Sequence, residues 1–313
     1  MFRGYFFAAL AAAAYGTNPA FAVPLYEDGM NPNTVLFFRY ILGLPFLALL
    51  MLIRKIDFRL KRDEVFAVSV LGILMALSSL TLFESYQYIN SGIASTLLFI
   101  YPILVALIMI VFHHEKVKVS LILCLAIMVA GLLLLMQPNG ETGINSYGFL
   151  LVMVSALTYA FYIVLVNVNK KISRIPTTKL LFYVLLFGCG VFIFKIVAGT
   201  PITLPQVNFG WFNLVALALI PTVLSLASTS IAIHLIGPTP TAIFGALEPV
   251  TAVVLSMVFL HQSITGQEIV GGLLIIVATT IVVGSKSVDK FILHVRKMFP
   301  KGGVRTETQE NGK

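Results

Sequence analysis

The sequence has few of the charged residues that cover a water-exposed surface. Asp, Glu, Lys and Arg make up 11% of its 313 residues, whereas hydrophobic residues make up 58%, and the mean hydropathy is +0.97. Soluble globular domains carry about 25% charged residues. A soluble protein is therefore excluded, and we predict an integral membrane protein.

Cysteines and catalytic motifs are also scarce. The two cysteines, Cys124 and Cys189, both fall within apolar runs, so neither a disulfide framework nor a thiolate metal site is predicted. The sequence contains no nucleotide-binding loop, nucleophile elbow or catalytic carboxylate pair. We therefore expect a protein that is not an enzyme and that holds no metal or other cofactor.

The formal net charge of +8 does not indicate a nucleic-acid partner. The basic residues lie between apolar runs and in the C-terminal tail, and no basic domain is present to hold a polyanion. Membrane topology explains them better, since the connections on the cytoplasmic side of a membrane protein are enriched in Lys and Arg.

Ten apolar runs are long enough to cross a bilayer as helices, which takes about 20 residues each. All but two of the 21 Lys and Arg residues lie in connections on one side of the predicted membrane or in the tail; the exceptions, Arg39 and Lys195, lie within spans. Both termini are therefore predicted to be cytoplasmic, which requires an even number of spans. The predicted spans are 4–23, 33–53, 65–88, 92–112, 120–136, 147–168, 178–198, 211–235, 239–260 and 266–284.

The stretch 89–136 recurs at 236–283 with few identical residues but the same layout. Each copy has a tight entry, an apolar run with one proline, a polar joint and a second apolar run, and the alignment places Tyr101 on Glu248. Such duplication is typical of transporters, and five spans per half reverse the second copy in the membrane. We predict an all-α protein with ten transmembrane helices in two inverted five-helix repeats, 4–137 and 147–284, and a basic cytoplasmic tail, 286–313, with a short amphipathic helix.

Polar side chains within the spans are the main functional signal, because polar groups in hydrocarbon are costly. Spans one, three, six and eight each carry a stripe of them at helical spacing, and the four stripes predict a shared water-accessible cavity. A single Ser or Thr in a stripe can instead bond its own helix or hold two helices together. The residues predicted to bind substrate are Tyr15, Asn18, Thr81, Glu84, Tyr88, Tyr101, Tyr159, Tyr162, Ser228 and Glu248.

Three charged residues lie deep within the predicted spans. Arg39 and Glu84 have similar depths below the outer surface, so they either form an ion pair or bind a ligand directly. Glu248 lies near the midplane with no basic residue at matching depth. It is either a protonated carboxyl bonded to a neighbouring helix or a candidate for proton coupling, since burial disfavours the charged form.

These features resemble the drug/metabolite transporter superfamily, in particular its ten-span EamA-type branch with two EamA domains. The resemblance covers residues 5–284, and the segments 89–115 and 247–271 carry it. Glu115 fits the family pattern in the first copy, whereas Gln262 stands where the second copy usually has an acidic residue. The resemblance implies a central cavity and a carrier in the inner or plasma membrane. Such a carrier works by alternating access without ATP hydrolysis, and often exports amino acids or related metabolites.

The substrate class follows from the residues available to the cavity. A phosphorylated solute would need several Lys or Arg there, and only Arg39 is a candidate. The tyrosines and carboxylates better suit a neutral, zwitterionic or cationic small molecule. Two alternatives remain open: a lipid-handling flippase on the same fold, and a membrane sensor or structural subunit that transports nothing.

Overall fold

The computed structural model describes residues 2–113, 119–136, 145–169, 171–236, 241, 244–245 and 247–283. Within these ranges the chain forms helices and no strand. Ten helical segments occupy the positions of the ten predicted spans, and seven of those described are long and apolar enough to cross a membrane by themselves. The prediction of an all-α membrane protein is therefore confirmed.

The spans begin and end close to the predicted positions, and asparagines start several of them. Asn31, Asn90 and Asn145 each accept a hydrogen bond through Oδ1 from a main-chain N–H in the first turn, at 2.8, 2.9 and 2.9 Å, which satisfies groups that the helix cannot pair itself. From span one to span ten the helices are Phe2–Gly16 with Asn18–Glu27, Pro32–Ile53, Arg62–Ser85, Ser91–Leu98 with Tyr101–His113, Val119–Met136, Ser146–Val168, Thr177–Val197, Asn208–Ala218 with Ser225–Ile236, Leu247–Phe259 and Gly266–Val283.

Three spans are interrupted near a proline. Span one breaks just before Pro19, span four breaks just before Pro102, and span eight contains a π-helical turn, Leu219–Leu224, around Pro221. Proline has no N–H to donate and its ring crowds the carbonyl four residues earlier, so the regular hydrogen-bond ladder cannot continue through it. Turns of the π type occur often at functional sites.

The two halves pack through helix pairs that the repeat relates to each other. Span one lies against span eight, and span six lies against span three; spans two and seven, four and nine, and five and ten also pair. The first two pairs carry equivalent hydrogen bonds. Ser225 Oγ donates to the Ala11 carbonyl at 2.9 Å, and Ser78 and Ser155 bond each other's carbonyls at 3.0 and 2.7 Å. One hydrophobic core runs through both halves.

One predicted boundary is wrong, and other predictions fall on residues that the structure does not describe. Span three ends at Ser85 rather than at Tyr88, because the N–H groups of Gln87 and Tyr88 bond to carbonyls only three residues back and form a tight turn. This turn leaves room for Asn90 to start the next helix. The tail at 286–313, with its predicted amphipathic helix, lies outside the described residues.

Candidate functional site

A small cavity, the central cavity, lies where spans one, two, three, seven and eight meet. Its volume is about 30 Å³, which holds about one or two water molecules. Tyr15 and Arg39, both named from sequence, line it. Three further polar residues, Tyr40, Ser79 and Thr222, complete its wall. Thr222 belongs to the predicted polar stripe of span eight, although it is not among the predicted substrate-binding residues. Tyr40 and Ser79 were not predicted from sequence and meet only through packing, with their hydroxyl oxygens 2.9 Å apart.

Arg39 is a buried cation, and few neighbouring groups offset its positive charge. Its side chain is 5% exposed, its Nε donates to Thr222 Oγ1 at 3.0 Å, and its guanidinium carbon lies 5.4 Å from the centre of the Phe83 ring. Thr222, within the π turn, donates its hydroxyl hydrogen to the Leu217 carbonyl. A lone pair of the Thr222 oxygen therefore remains to accept from Arg39. Among the described residues no carboxylate lies within 4.0 Å of Arg39.

The sequence predicts that Arg39 and Glu84 either form an ion pair or bind a ligand directly, and the ion pair does not form. Glu84 Oε1 instead lies 2.9 Å from Lys195 Nζ, and both side chains are about one-third exposed. The prediction rested on similar depth, but depth does not fix direction. Successive residues of a helix point about 100° apart, so Phe83 faces Arg39 while its neighbour Glu84 faces span seven. The sequence prediction left Lys195 without a partner within its span.

Three of the predicted substrate-binding residues lie around a fourth, Glu248. Tyr15, Tyr101 and Tyr159, from spans one, four and six, all lie within electrostatic range of its carboxyl group. Tyr101 and Tyr159 meet edge to face with ring centres 4.7 Å apart, and the Tyr162 ring lies parallel to Tyr159 at 5.9 Å. No described Lys or Arg lies within 4.0 Å of Glu248.

A glycine allows span one to approach Glu248. A Cβ atom on Gly16 would lie 2.5 Å from the main-chain oxygen of Glu248 and 2.7 Å from Cβ of Thr251. Neither distance is compatible with a real side chain, so only glycine fits between spans one and nine at this point. This contact places the adjacent Tyr15 beside the carboxyl group.

The remaining predicted residues lie elsewhere or serve other contacts. Thr81 Oγ1 donates to carbonyls of its own helix, Tyr88 is half-exposed and packs on the Tyr147 ring at 4.9 Å, and Ser228 is buried. Asn18 Nδ2 donates to the Tyr15 carbonyl at 2.8 Å, whereas its buried Oδ1 has no protein partner. In the polar stripes of spans three and six, Ser78 and Ser155 join the two helices rather than lining a cavity.

Contacts join the spans at both ends of the bundle. On the face without basic connections, Asp28 Oδ2 accepts from the N–H groups of Gln206 and Val207 at 2.9 and 3.4 Å, and the pair of Glu84 and Lys195 joins spans three and seven. On the basic face, a layer of apolar side chains lies between the central cavity and a larger surface cavity. The layer consists of Val68, Leu71, Ile172, Leu180 and Val184.

Comparisons with known proteins agree with this architecture. The model of a family described as the EamA-like transporter family matches residues 2–137 and 146–284. An uncharacterized transporter of Synechocystis sp. is 28% identical over 64% of this chain and 61% of its own length. An uncharacterized transporter of Archaeoglobus fulgidus is 28% identical over 42% of this chain and 46% of its own length. The chain thus spans less than two thirds of these relatives.

Solved structures share the fold. A protein crystal structure with 18% sequence identity superimposes with a TM-score of 0.64 and covers 94% of this chain and 98% of its own.

Proposed function

Because the chain belongs to the EamA-like transporter family, it is a membrane transporter, and we propose that it exports a small zwitterionic metabolite, such as an amino acid. It does so as a secondary transporter that alternates access between the two faces without ATP hydrolysis. By the positive-inside rule, both termini lie in the cytoplasm. The inner or plasma membrane is the location that the resemblance to the drug/metabolite transporter superfamily implies.

The observation that carries the proposal is a pair of opposite charges that have no ionic partners of their own. Arg39 and Glu248 both lie within electrostatic range of the Tyr15 hydroxyl, and among the described residues neither has an ion pair. A buried charge without a partner is costly. A solute whose carboxylate meets the Arg39 guanidinium and whose ammonium meets Glu248 would compensate both charges at once.

The tyrosines support the same solute class. Their ring faces attract cations and their hydroxyls form hydrogen bonds, so Tyr15, Tyr101 and Tyr159 suit the ammonium end of the solute near Glu248. The central cavity is too small for such a solute in this conformation. The arrangement therefore corresponds to a closed state, and access requires opening either the apolar layer or the hydrogen-bonded face.

The test separates the two ends of the solute. A metabolite screen that compares cells lacking the protein with cells overproducing it first identifies the amino acid. Transport of this amino acid by the purified protein in proteoliposomes is then measured in the presence of its methyl ester or its N-acetyl derivative. The ester lacks the carboxylate and the N-acetyl form lacks the ammonium, so both are expected to compete poorly. Equal competition by all three compounds would exclude a zwitterion site.

Glu248 is the proposed proton-coupling group. It lies in the membrane without a cation, and a carboxyl in that position can take up a proton when one face opens and release it when the other does. Glu248→Gln is therefore expected to lose transport driven by a pH gradient. It should still exchange solute between the two sides independently of pH, but with lower affinity, because the ammonium loses its counter-charge. Full pH-gradient-driven transport by this variant would show that another group carries the proton.

A lipid-handling flippase is the second candidate, and one cavity favours it. An almost entirely apolar cavity of about 150 Å³ lies between spans four, nine and ten, beside Pro249. Several of its residues, including Val254 and Leu273, are half-exposed on the bundle surface, where acyl chains would reach them. Photocrosslinking from the Tyr15 position to lipid headgroups, with no amino-acid transport in proteoliposomes, would favour the flippase.

A further inference from the structure

A second polar cavity lies at the basic end of the bundle. It is formed by the connection between spans two and three and by the connection between spans six and seven, and its volume is about 440 Å³. The apolar layer of Val68, Leu71, Ile172, Leu180 and Val184 separates it from the central cavity. Its charged lining consists of Arg59, Lys61, Lys171, Arg174, Lys179, Asp57, Asp63 and Glu64.

The three carboxylates of this cavity are already engaged. Asp63 Oδ2 lies 2.9 Å from Lys171 Nζ. Glu64 Oε2 accepts from the Lys61 N–H, and Asp57 Oδ1 accepts from the Arg59 N–H, both at 3.1 Å. The pair of Asp63 and Lys171 joins the two connections. Main-chain N–H groups do not neutralise Asp57 and Glu64, but five basic side chains line the cavity against three carboxylates, so an excess of positive charge remains.

Three of the five basic side chains are free. Within the part of the chain that the structure describes, the side chains of Arg59, Lys61 and Arg174 form no ion pair or hydrogen bond. Lys179 donates to the main-chain oxygen of Arg59, which holds the two connections together without neutralising the ammonium. The cavity thus concentrates positive charge around an open space.

The first turn of span seven adds main-chain donors to the same wall. Span seven begins at Thr177, after Pro176, with no side-chain cap and no acidic residue in its first turn. Pro176 and Lys179 both line the cavity. The unpaired N–H groups and the helix dipole at such an end favour an anion.

We propose that this cavity binds a phosphate group, held by Arg59, Lys61, Arg174 and the first turn of span seven. Guanidinium groups bind phosphate oxygens in pairs, and an ammonium adds a point charge. The phosphate belongs either to a lipid headgroup of the adjacent leaflet or to a soluble organic phosphate. The site is independent of the proposed transport of a zwitterion, because the apolar layer separates the two cavities.

Native mass spectrometry of the full-length protein tests the site with two probes. The first is phosphatidylglycerol in phosphatidylcholine nanodiscs, and the second is glycerol 3-phosphate added to nanodiscs of phosphatidylcholine alone. The wild type is expected to retain one molecule of probe. Arg59→Gln, Lys61→Gln and Arg174→Gln should each weaken binding roughly fivefold. Binding of phosphatidylglycerol alone identifies a lipid site, and binding of glycerol 3-phosphate identifies a site for soluble phosphates.

Arg62→Gln is the matched control. Arg62 is exposed on the same connection but does not line the cavity, so this variant should bind like the wild type. A triple variant combines Arg59→Gln, Lys61→Gln and Arg174→Gln. The proposal is overturned if the control weakens binding as much as Arg174→Gln does, if the triple variant binds like the wild type, or if the wild type retains neither probe. The melting temperature of each variant is measured first, and the single variant Arg174→Gln replaces the triple variant if the latter does not fold.

Discussion

Replacing Arg39 by Met should abolish transport at little cost in stability. The change removes one hydrogen bond from a charged donor, at 3.0 Å from Thr222, which contributes about 1.5–3 kcal/mol, and a contact with the Phe83 ring that contributes about 2 kcal/mol when desolvated. It also ends the burial of an unpaired cation that is 5% exposed, which costs several kcal/mol. The terms nearly cancel, so the free energy of unfolding should change by no more than about 2 kcal/mol.

The loss of function should be far larger. Removing one member of a buried, hydrogen-bonded charge pair costs about 2–5 kcal/mol, so the affinity for the solute should fall by about 30- to 5,000-fold. Thermal melting of the purified protein reports stability, and uptake into proteoliposomes reports the apparent affinity. Arg39→Lys should give an intermediate affinity, because an ammonium keeps the charge but not the paired donors. A large fall in melting temperature with unchanged affinity would mean that Arg39 only supports the fold.

Three further predictions follow from the packing. Gly16→Ala should reduce the free energy of unfolding by about 1–3 kcal/mol and slow transport, because its Cβ would lie 2.5 Å from the main-chain oxygen of Glu248. The control is Gly190→Ala, where no atom lies within 4 Å of the new Cβ. Equal melting temperatures of the two variants would contradict the tight contact. Ser78→Ala and Ser155→Ala should each cost about 0.6–1.7 kcal/mol and should not be additive in a double-mutant cycle, since the residues bond each other; additive losses would show that the pair is not coupled. Lys195→Met should cost at most about 1 kcal/mol, because its pair with Glu84 is partly exposed, and exchanging the two charges should restore the melting temperature of the wild type; a loss that the exchange leaves uncorrected would indicate a different partner.

The spans could be predicted from the sequence because hydropathy and the distribution of basic residues each constrain them. Helical spacing named Tyr15 and Tyr159, because it fixes the face of a helix once one residue on that face is known, and the repeat alignment named Tyr101 and Glu248. The partner of Glu84 could not be predicted in this way. Depth along a helix is readable from sequence, but rotation about its axis is set by which neighbour packs against it.

The sequence also did not determine what the serines of the polar stripes do. A serine that lines a cavity and a serine that joins two helices have the same spacing, and only the neighbouring helix distinguishes them. Ser78 and Ser225 bond neighbouring spans, which is the alternative role that the sequence left open for a single serine. The π turn of span eight left no mark on hydrophobic periodicity, and Pro221 was a signal of an irregular helix that the sequence prediction did not use.

The central cavity lies on the axis that relates the two halves, and its polarity comes from departures from that symmetry. Aligning the starts of spans two and seven, at Pro32 and Thr177, pairs Arg39 with Val184. The repeat likewise pairs Thr222 with Met75, and all four residues line the cavity. Each pair therefore places a polar side chain from one half opposite an apolar one from the other. Glu248, which the repeat matches to Tyr101, differs from its counterpart in charge rather than in polarity. An inverted repeat can supply two equivalent ways to open, but only asymmetric side chains can orient a solute with unlike ends. The residues that break the symmetry are thus the ones whose replacement should change which solute is moved.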